Sequence, residues 1–193
     1  VNSKTPQKII ANGNLLSNAY ANTGKYDKAI EVQQTILTTP EIQNDLSLKI
    51  AQTQNLANIY TQNDDLENAL VLLKQSYDLA IQNNKTIDAK NSLEAMVKIF
   101  NDKGNTGKSI ELYKQFLSTL ESLIQKDSSL TDSKIILATE EKIKQLESEK
   151  TLKDQLIKKK STFSYFLIGA AILLLLLLLF IGKSLYSIKI KNK

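Results

Sequence analysis

Apolar residues recur every three or four positions through most of the first 126 residues, as in Leu66, Leu70, Leu73 and Tyr77, or Ile110, Tyr113, Phe116, Leu117 and Leu120. That spacing puts them on one face of an α-helix. Polar stretches separate the stripes, and the pattern predicts helices over 6–22, 26–38, 40–62, 65–83, 87–102 and 106–125. Two starts are marked by Thr5-Pro6 and Thr39-Pro40, each an N-cap residue ahead of a proline at the first helical position. Thr86 is expected to cap the fifth helix. Asn12-Gly13-Asn14 is a weak spot inside the first, because Gly costs roughly 1 kcal/mol relative to Ala in a helix interior.

Past residue 126 the pattern changes. Residues 129–160 are charged, with a partial apolar seam at Ile136, Ile143, Leu146 and Ile157 that Lys150 and Lys153 interrupt. Ser129 and Asp132 have the spacing of a capping box. The first half of this segment is expected to cover the last helix pair, and the second half to form a charged stalk. From Phe163 to Gly182 no charge occurs, and Leu173 to Leu179 are consecutive leucines. A helix of that length covers about 30 Å, the thickness of the hydrocarbon core of a bilayer, so a membrane span is expected. Tyr165 and Tyr186 suit the two interfacial aromatic belts. Lysines flank the span in nearly equal number, which leaves its orientation open.

Composition narrows the chemistry. The 193 residues contain no Cys, His or Trp, and all 25 cations are Lys. Disulfides, Cys or His metal sites and histidine bases are therefore excluded. The net charge of +5 is unevenly spread. Residues 1–130 carry 13 Lys against 14 acids, and residues 131–193 carry 12 against 6. The basic character therefore belongs to the membrane-proximal third, and no nucleic-acid partner is expected for this segment. Asp64-Asp65 and Glu140-Glu141 read as a turn and a solvated helix face, and Gly104 to Lys108 lacks the spacing of a phosphate-binding loop. No catalysis and no cofactor are expected. Met96 is the single methionine, so the sequence reads as a piece of a longer protein.

The chain also repeats itself. Leu16–Ala29, Leu56–Ala69 and Met96–Ser109 align at a constant offset of 40. Tyr20, Tyr60 and Phe100 share one column; Gly24, Asp64 and Gly104 a second; Tyr26, Leu66 and Thr106 a third; Ala29, Ala69 and Ser109 a fourth. The second column tolerates the left-handed conformation that ends a helix. In the fourth, only a small side chain lets paired helices approach.

The pattern Leu16, Tyr20, Gly24, Tyr26, Ala29 resembles the tetratricopeptide repeat. Leu56, Tyr60, Leu66 and Ala69 follow it closely, and the third copy, with Phe100, Gly104, Thr106 and Ser109, follows it loosely. The resemblance implies an all-α, right-handed α-solenoid of three helix pairs at about 6–39, 40–85 and 86–126, within a repeat domain of residues 1–128. A long capping and stalk helix at 129–160, one transmembrane helix at 161–188 and a Lys-rich tail at 189–193 follow. It also implies that these column residues pack the repeats and that the first helix of each pair lines a concave face.

Carried onto this chain, the inward positions of the family are Asn14, Asn18 and Asn22, then Gln54, Asn58 and Gln62, then Glu94, Lys98 and Asn101. Carboxamides both donate and accept, so such a groove suits the main chain of an extended peptide, while the same amides also suit a merely solvated helix face. The family's clamp for chaperone C-termini is absent. Asn18 and Asn55 match its amide positions, but Asn14, Asn91 and Ala95 stand where it needs cations.

The order of repeats, charged helix, single span and lysine tail resembles the sensory half of bacterial membrane-anchored sensor histidine kinases with tetratricopeptide sensors, and of related transmembrane regulators that end in a DNA-binding domain. By that resemblance the repeats lie outside the cytoplasmic membrane, on the periplasmic side, and an effector follows Lys193. The partners expected are a peptide or protein on the concave face, the lipid bilayer, and a second copy paired through stalk and span. A tail-anchored adaptor and an envelope scaffold are the alternatives.

Overall fold

The structure, a computed structural model, describes residues 6–127, 129 and 132–191. Thr5 and Lys193 lie outside the described residues, as do the side chains of Tyr186, Lys189 and Lys191. Eight helices are present among the described residues: α1 (Pro6–Asn22), α2 (Tyr26–Leu37), α3 (Pro40–Asn44), α4 (Leu46–Gln62), α5 (Leu66–Gln82), α6 (Thr86–Asp102), α7 (Thr106–Lys126) and α8 (Ser133–Lys191).

Four turns share one hydrogen-bond design. Gly24 and Gly104 have φ near 73°, and Asp64 and Asn84 have φ 56°. At each, the residue in the left-handed conformation donates its N–H three residues back, and the next residue donates five back: Gly24 to Ala21 (2.9 Å) and Lys25 to Tyr20 (2.9 Å), Asp64 to Thr61 (3.1 Å) and Asp65 to Tyr60 (2.9 Å). Asn84 with Lys85, and Gly104 with Asn105, repeat it. This pair of bonds satisfies the last carbonyls of the helix before the chain reverses. The 40-residue period contained three of these turns; Asn84 is a fourth, half a period on.

The following helix starts are unequal. Asp65 Oδ1 accepts from Asn68 N (3.2 Å) and Asn105 Oδ1 from Lys108 N (3.1 Å), whereas Lys25 and Lys85 occupy the same position with no side-chain cap. Thr86 is the first residue of α6 rather than its cap, because the turn at Asn84 places Lys85 there. Thr39 is extended ahead of Pro40, but its hydroxyl donates back to the Ile36 carbonyl (2.8 Å) and so closes α2. The expected helix over 40–62 is broken at Asp45, which is extended (φ −115°) and accepts from Leu48 N at 3.0 Å. A side chain that competes for backbone N–H groups favours a fresh N-terminus over an unbroken helix.

Helices α1 and α2, α4 and α5, and α6 and α7 pack as hairpins, with α2 on α4 and α5 on α6 joining one hairpin to the next. The small column sits at the tightest contacts: Ala29, Ala69 and Ser109 are wholly buried, as is Ala89. Opposite Ala29, the Ser17 hydroxyl donates to its carbonyl at 2.8 Å. Gly13 permits the same closeness one turn earlier, since a Cβ there would stand 2.7 Å from Ile36 Cδ1.

Leu16 departs from the packing role that the repeat pattern implies. It is 47% exposed, while Leu56 and Met96 in the same column are 4% exposed. Those two are covered by the preceding hairpin, and no helix precedes α1 among the described residues.

At the other end the stack is covered. Ile135, Ile136, Ile143 and Leu146 of α8 join the core of Phe116, Leu120, Leu93 and Ile50, where the Tyr77 and Phe116 rings meet edge to face with centroids 6.1 Å apart. The expected capping box at Ser129 and Asp132 is replaced by two local bonds. Asp127 Oδ1 accepts from Ser129 N (2.8 Å), and Asp132 Oδ1 accepts from Lys134 N (2.9 Å) ahead of α8.

The compact repeat unit ends at Leu146, and Glu147–Lys193 form a second unit. Helix α8 shows no break at residue 160; it is continuous from Ser133 to Lys191. Its apolar stretch is long enough to cross a bilayer, and none of the most apolar window is buried. Every leucine from Leu173 to Leu179 is more than half exposed.

Candidate peptide groove

The first helices of the three hairpins, α1, α4 and α6, carry the expected groove residues. Each helix turns a polar stripe outward because its apolar residues are committed to the hairpin: Ile50, Leu56, Ala57 and Ile59 in α4, and Ala89, Leu93, Met96, Val97 and Ile99 in α6 are buried.

Between α4 and α6 the stripes meet over a hollow of about 260 Å³. Gln54, Asn58, Asn91, Lys98 and Asp102 line it, and Leu73 and Ile99, both nearly fully buried, contribute apolar lining. Asn58, Asn91 and Lys98 are exposed and carry no hydrogen bond or ion pair among the described residues. Two neutral amides and an ammonium are thus presented within one recess, with the Asp102 carboxylate beside them. Such a set can pair with peptide N–H and C=O groups and with a polar side chain of the same ligand.

Several of the expected groove residues have other partners. Gln54 Nε2 donates to the Asp88 carbonyl (3.1 Å) and to Ser92 Oγ (2.8 Å), and Ser92 Oγ lies 2.9 Å from Ser76 Oγ. This chain of polar groups, buried at Ser76 and Ser92, ties α4, α5 and α6 together. Asn101 Oδ1 accepts from Ser109 Oγ at 2.7 Å, pinning α6 to α7, and Glu94 pairs with Lys90 at 2.9 Å. Asn14 Oδ1 is buried without a partner. Asn18, Asn22 and Gln62 are exposed and lie outside this hollow. Among the column residues, Tyr20 and Tyr26 pack beside Ala29 and Ile59, Tyr60 and Leu66 beside Ala69, and Phe100 is half-buried.

The inward positions of the family do not include Asn91 and Asp102, although the sequence carries a signal for both. Asn91, Ala95, Lys98 and Asp102 fall at intervals of four, three and four, one face of α6.

Burial raises the two shifted phenols, which belong to the hydrophobic core rather than to the recess. It pushes the Tyr113 phenol up to about 12, with Glu94 adding to the shift. Tyr77 is raised for the same first reason, against a hydrogen bond from Thr119 and with a further push from Asp78. Asp127 is lowered by its hydrogen bonds with Ser129.

With this geometry in hand, comparison with known proteins identifies the fold. The family model described as tetratricopeptide repeat matches residues 14–39, the first hairpin. No curated protein matches the chain. Among solved structures, the chain is similar to the crystal structure of nearly identical TPR-like repeats from a Podosopora anserina protein assigned to the kinesin light chains. The identity is 17% and the TM-score 0.53, over 82% of this chain and 75% of that one. A second form of those repeats, carrying one substitution, matches at 15% identity and a TM-score of 0.47, over 78% and 80%. The repeat unit has the fold of a tetratricopeptide-like α-solenoid, and its first hairpin matches the tetratricopeptide repeat model.

Proposed function

We propose that this chain is a membrane-anchored recognition module that captures an extended segment of a partner protein between α4 and α6, and that its role is binding rather than catalysis. The observation that carries this is the recess where Asn58, Asn91 and Lys98 present polar groups with no partner among the described residues. Donors and acceptors spaced along a groove recognise main chain, and the apolar lining offers burial to one side chain. Anchoring is supported by the exposed run from Phe163 to Ile181. Leaving that much apolar surface in water is opposed by about 25 cal/mol per Å², and a bilayer removes the cost.

We further propose that the module is the sensing part of a signal-transduction protein of the sensor histidine kinase kind, with its repeats outside the cytoplasmic membrane and its output carried past the span by α8. That reading rests on the order of repeats, charged helix and apolar helix. A tail-anchored adaptor or an envelope scaffold uses the same surfaces without an output, and a second copy paired through α8 fits either.

The test is selection of peptides from a random library on the full chain in lipid nanodiscs. Peptides whose binding falls with Asn58→Ala and Lys98→Ala together, while the melting curve holds, support the groove. Binding that ignores both substitutions overturns it. Anchoring is tested separately: replacing Leu176 and Leu177 with Lys should release the chain from carbonate-washed membranes, since each charge at mid-bilayer costs about 2.5–3.5 kcal/mol on insertion scales. A wild-type chain found in the wash would refute the anchor.

A further inference from the structure

The charged and apolar parts of α8 meet within a single turn. Lys158, Lys159 and Lys160 are consecutive, and the uncharged run opens at Phe163. No acid occurs from Gln155 to Lys183, and none of the three lysines joins an ion pair among the described residues. Neighbouring ammonium groups repel one another until an anion is brought to them.

The lysines divide between two sides of the helix. At 3.6 residues per turn, Lys158 and Lys159 fall on the side that carries Gln155, Thr162, Phe163 and Phe166, and these six line one shallow depression. Lys150, Lys153 and Lys160 point the other way. Thr162 Oγ1 donates to the Lys158 carbonyl at 2.9 Å, which leaves the two ammonium groups and the Gln155 amide as the donors of this face. Phe163 and Phe166 are 62% and 71% exposed, and Lys159 stands about 6 Å along the axis from Phe163. Cations above and aromatic rings below match the order of a phosphate and its acyl chains.

We propose that this face of α8 is a binding site for an anionic glycerophospholipid, with the phosphate held by Lys158 and Lys159 and an acyl chain laid on Phe163 and Phe166. The site rests on the reading of α8 as a membrane span and goes beyond it by selecting one class of lipid. A zwitterionic headgroup carries its own cation beside the phosphate, which competes with lysine and is repelled by it; an anionic headgroup brings no such competitor. A soluble polyanion would satisfy the lysines but would leave the two rings without a partner.

Because the chain has no tryptophan, Phe163→Trp places a single fluorophore at the site and keeps an aromatic ring there. The full chain is reconstituted in phosphatidylcholine vesicles, and the tryptophan is quenched by phosphatidylglycerol or by phosphatidylcholine, each brominated on the acyl chain near the headgroup and present at equal mole fraction. The relative binding constant should favour phosphatidylglycerol by about fivefold or more, the factor that a single lysine at a membrane surface supplies. Lys158→Gln with Lys159→Gln should bring the ratio close to one. Lys150→Gln with Lys153→Gln removes the same charge from the other side and should leave the ratio in place. Equal quenching by the two lipids overturns the proposal while the anchor stands. A ratio that survives the first double variant, or that falls equally with both, also overturns it, since total charge would then act without a site. Quenching by neither lipid would mean that residue 163 is outside the bilayer, and would remove the span together with the site.

Discussion

Lys25 and Asn105 hold the same place in two turns of the same design, which makes the value of a helix cap measurable inside one molecule. Their backbones coincide, with φ −91° and ψ 59° at Lys25 and φ −92° and ψ 62° at Asn105. Both are followed three residues later by lysine, Lys28 and Lys108. Asn105 Oδ1 accepts from Lys108 N at 3.1 Å, whereas Lys25 leaves the equivalent N–H of α2 without a side-chain partner. Replacing Lys25 with Asn requires no backbone change, adds that bond, and removes a cation from the positive end of the helix dipole. The expected gain is about 1 kcal/mol. At about 2.1 cal/mol/K of unfolding entropy per residue, that raises the melting temperature of the repeat unit by about 3 °C. Asn105→Lys should lower it by a similar amount. The two changes lie in separate hairpins, so the double variant should melt near the wild type. The assay is thermal unfolding followed by circular dichroism on the full chain, with Lys25→Ala separating lost charge from gained cap. If Lys25→Asn is no more stable than Lys25→Ala, the turns are not equivalent and the reasoning fails.

Gln52→Leu should cost about 1–3 kcal/mol by removing the 2.7 Å acceptor of the buried Gln33 amide, which keeps only a 3.4 Å bond to the carbonyl of residue 52, and adding Gln33→Leu should recover most of it; a double variant no better than the single, in urea unfolding, would contradict that account. Ala69→Phe should destabilise by about 1–3 kcal/mol through overpacking at a fully buried contact, and an unaltered melting curve would mean the helices are paired in another register. For Tyr113, a folded pKa of about 12 against an ordinary value of about 10 means that the folded chain keeps a proton the unfolded chain releases. Its contribution is therefore complete below pH 10 and is lost as pH rises toward 12, so Tyr113→Phe should flatten the alkaline fall in stability measured alongside phenolate absorbance. An equal slope in both proteins would count against a buried phenol.

The sequence showed the period and the structure showed what the period leaves unsaid. Gly24, Asp64 and Gly104 were legible as helix ends because few residues tolerate a positive φ. Asn84 is not legible as a helix end, because it falls outside the 40-residue period and its neighbours at half that spacing, Ala80 and Ala89, lack the aromatic residue that makes the other turns conspicuous. The break at Asp45 was hidden inside a continuous helical pattern, since a cap in mid-pattern looks like any exposed acid. The groove was read only in outline. Asn58 and Lys98 point into a shared recess, but Gln54 and Asn101 bond to Ser92 and Ser109, partners that only the stacking of the hairpins brings near.

The two ends of the repeat unit are finished differently, and that gives unravelling a direction. In a stack where each hairpin holds only its neighbours, an end with one neighbour opens more readily than an end clasped on both sides. Helices α1 and α2 should exchange their amide protons with solvent and meet proteases first, while α4 and α5, with a hairpin packed on each side, should yield last. A ligand that grips the first hairpin would therefore raise the resistance of the whole stack, and one that grips only the last would add little.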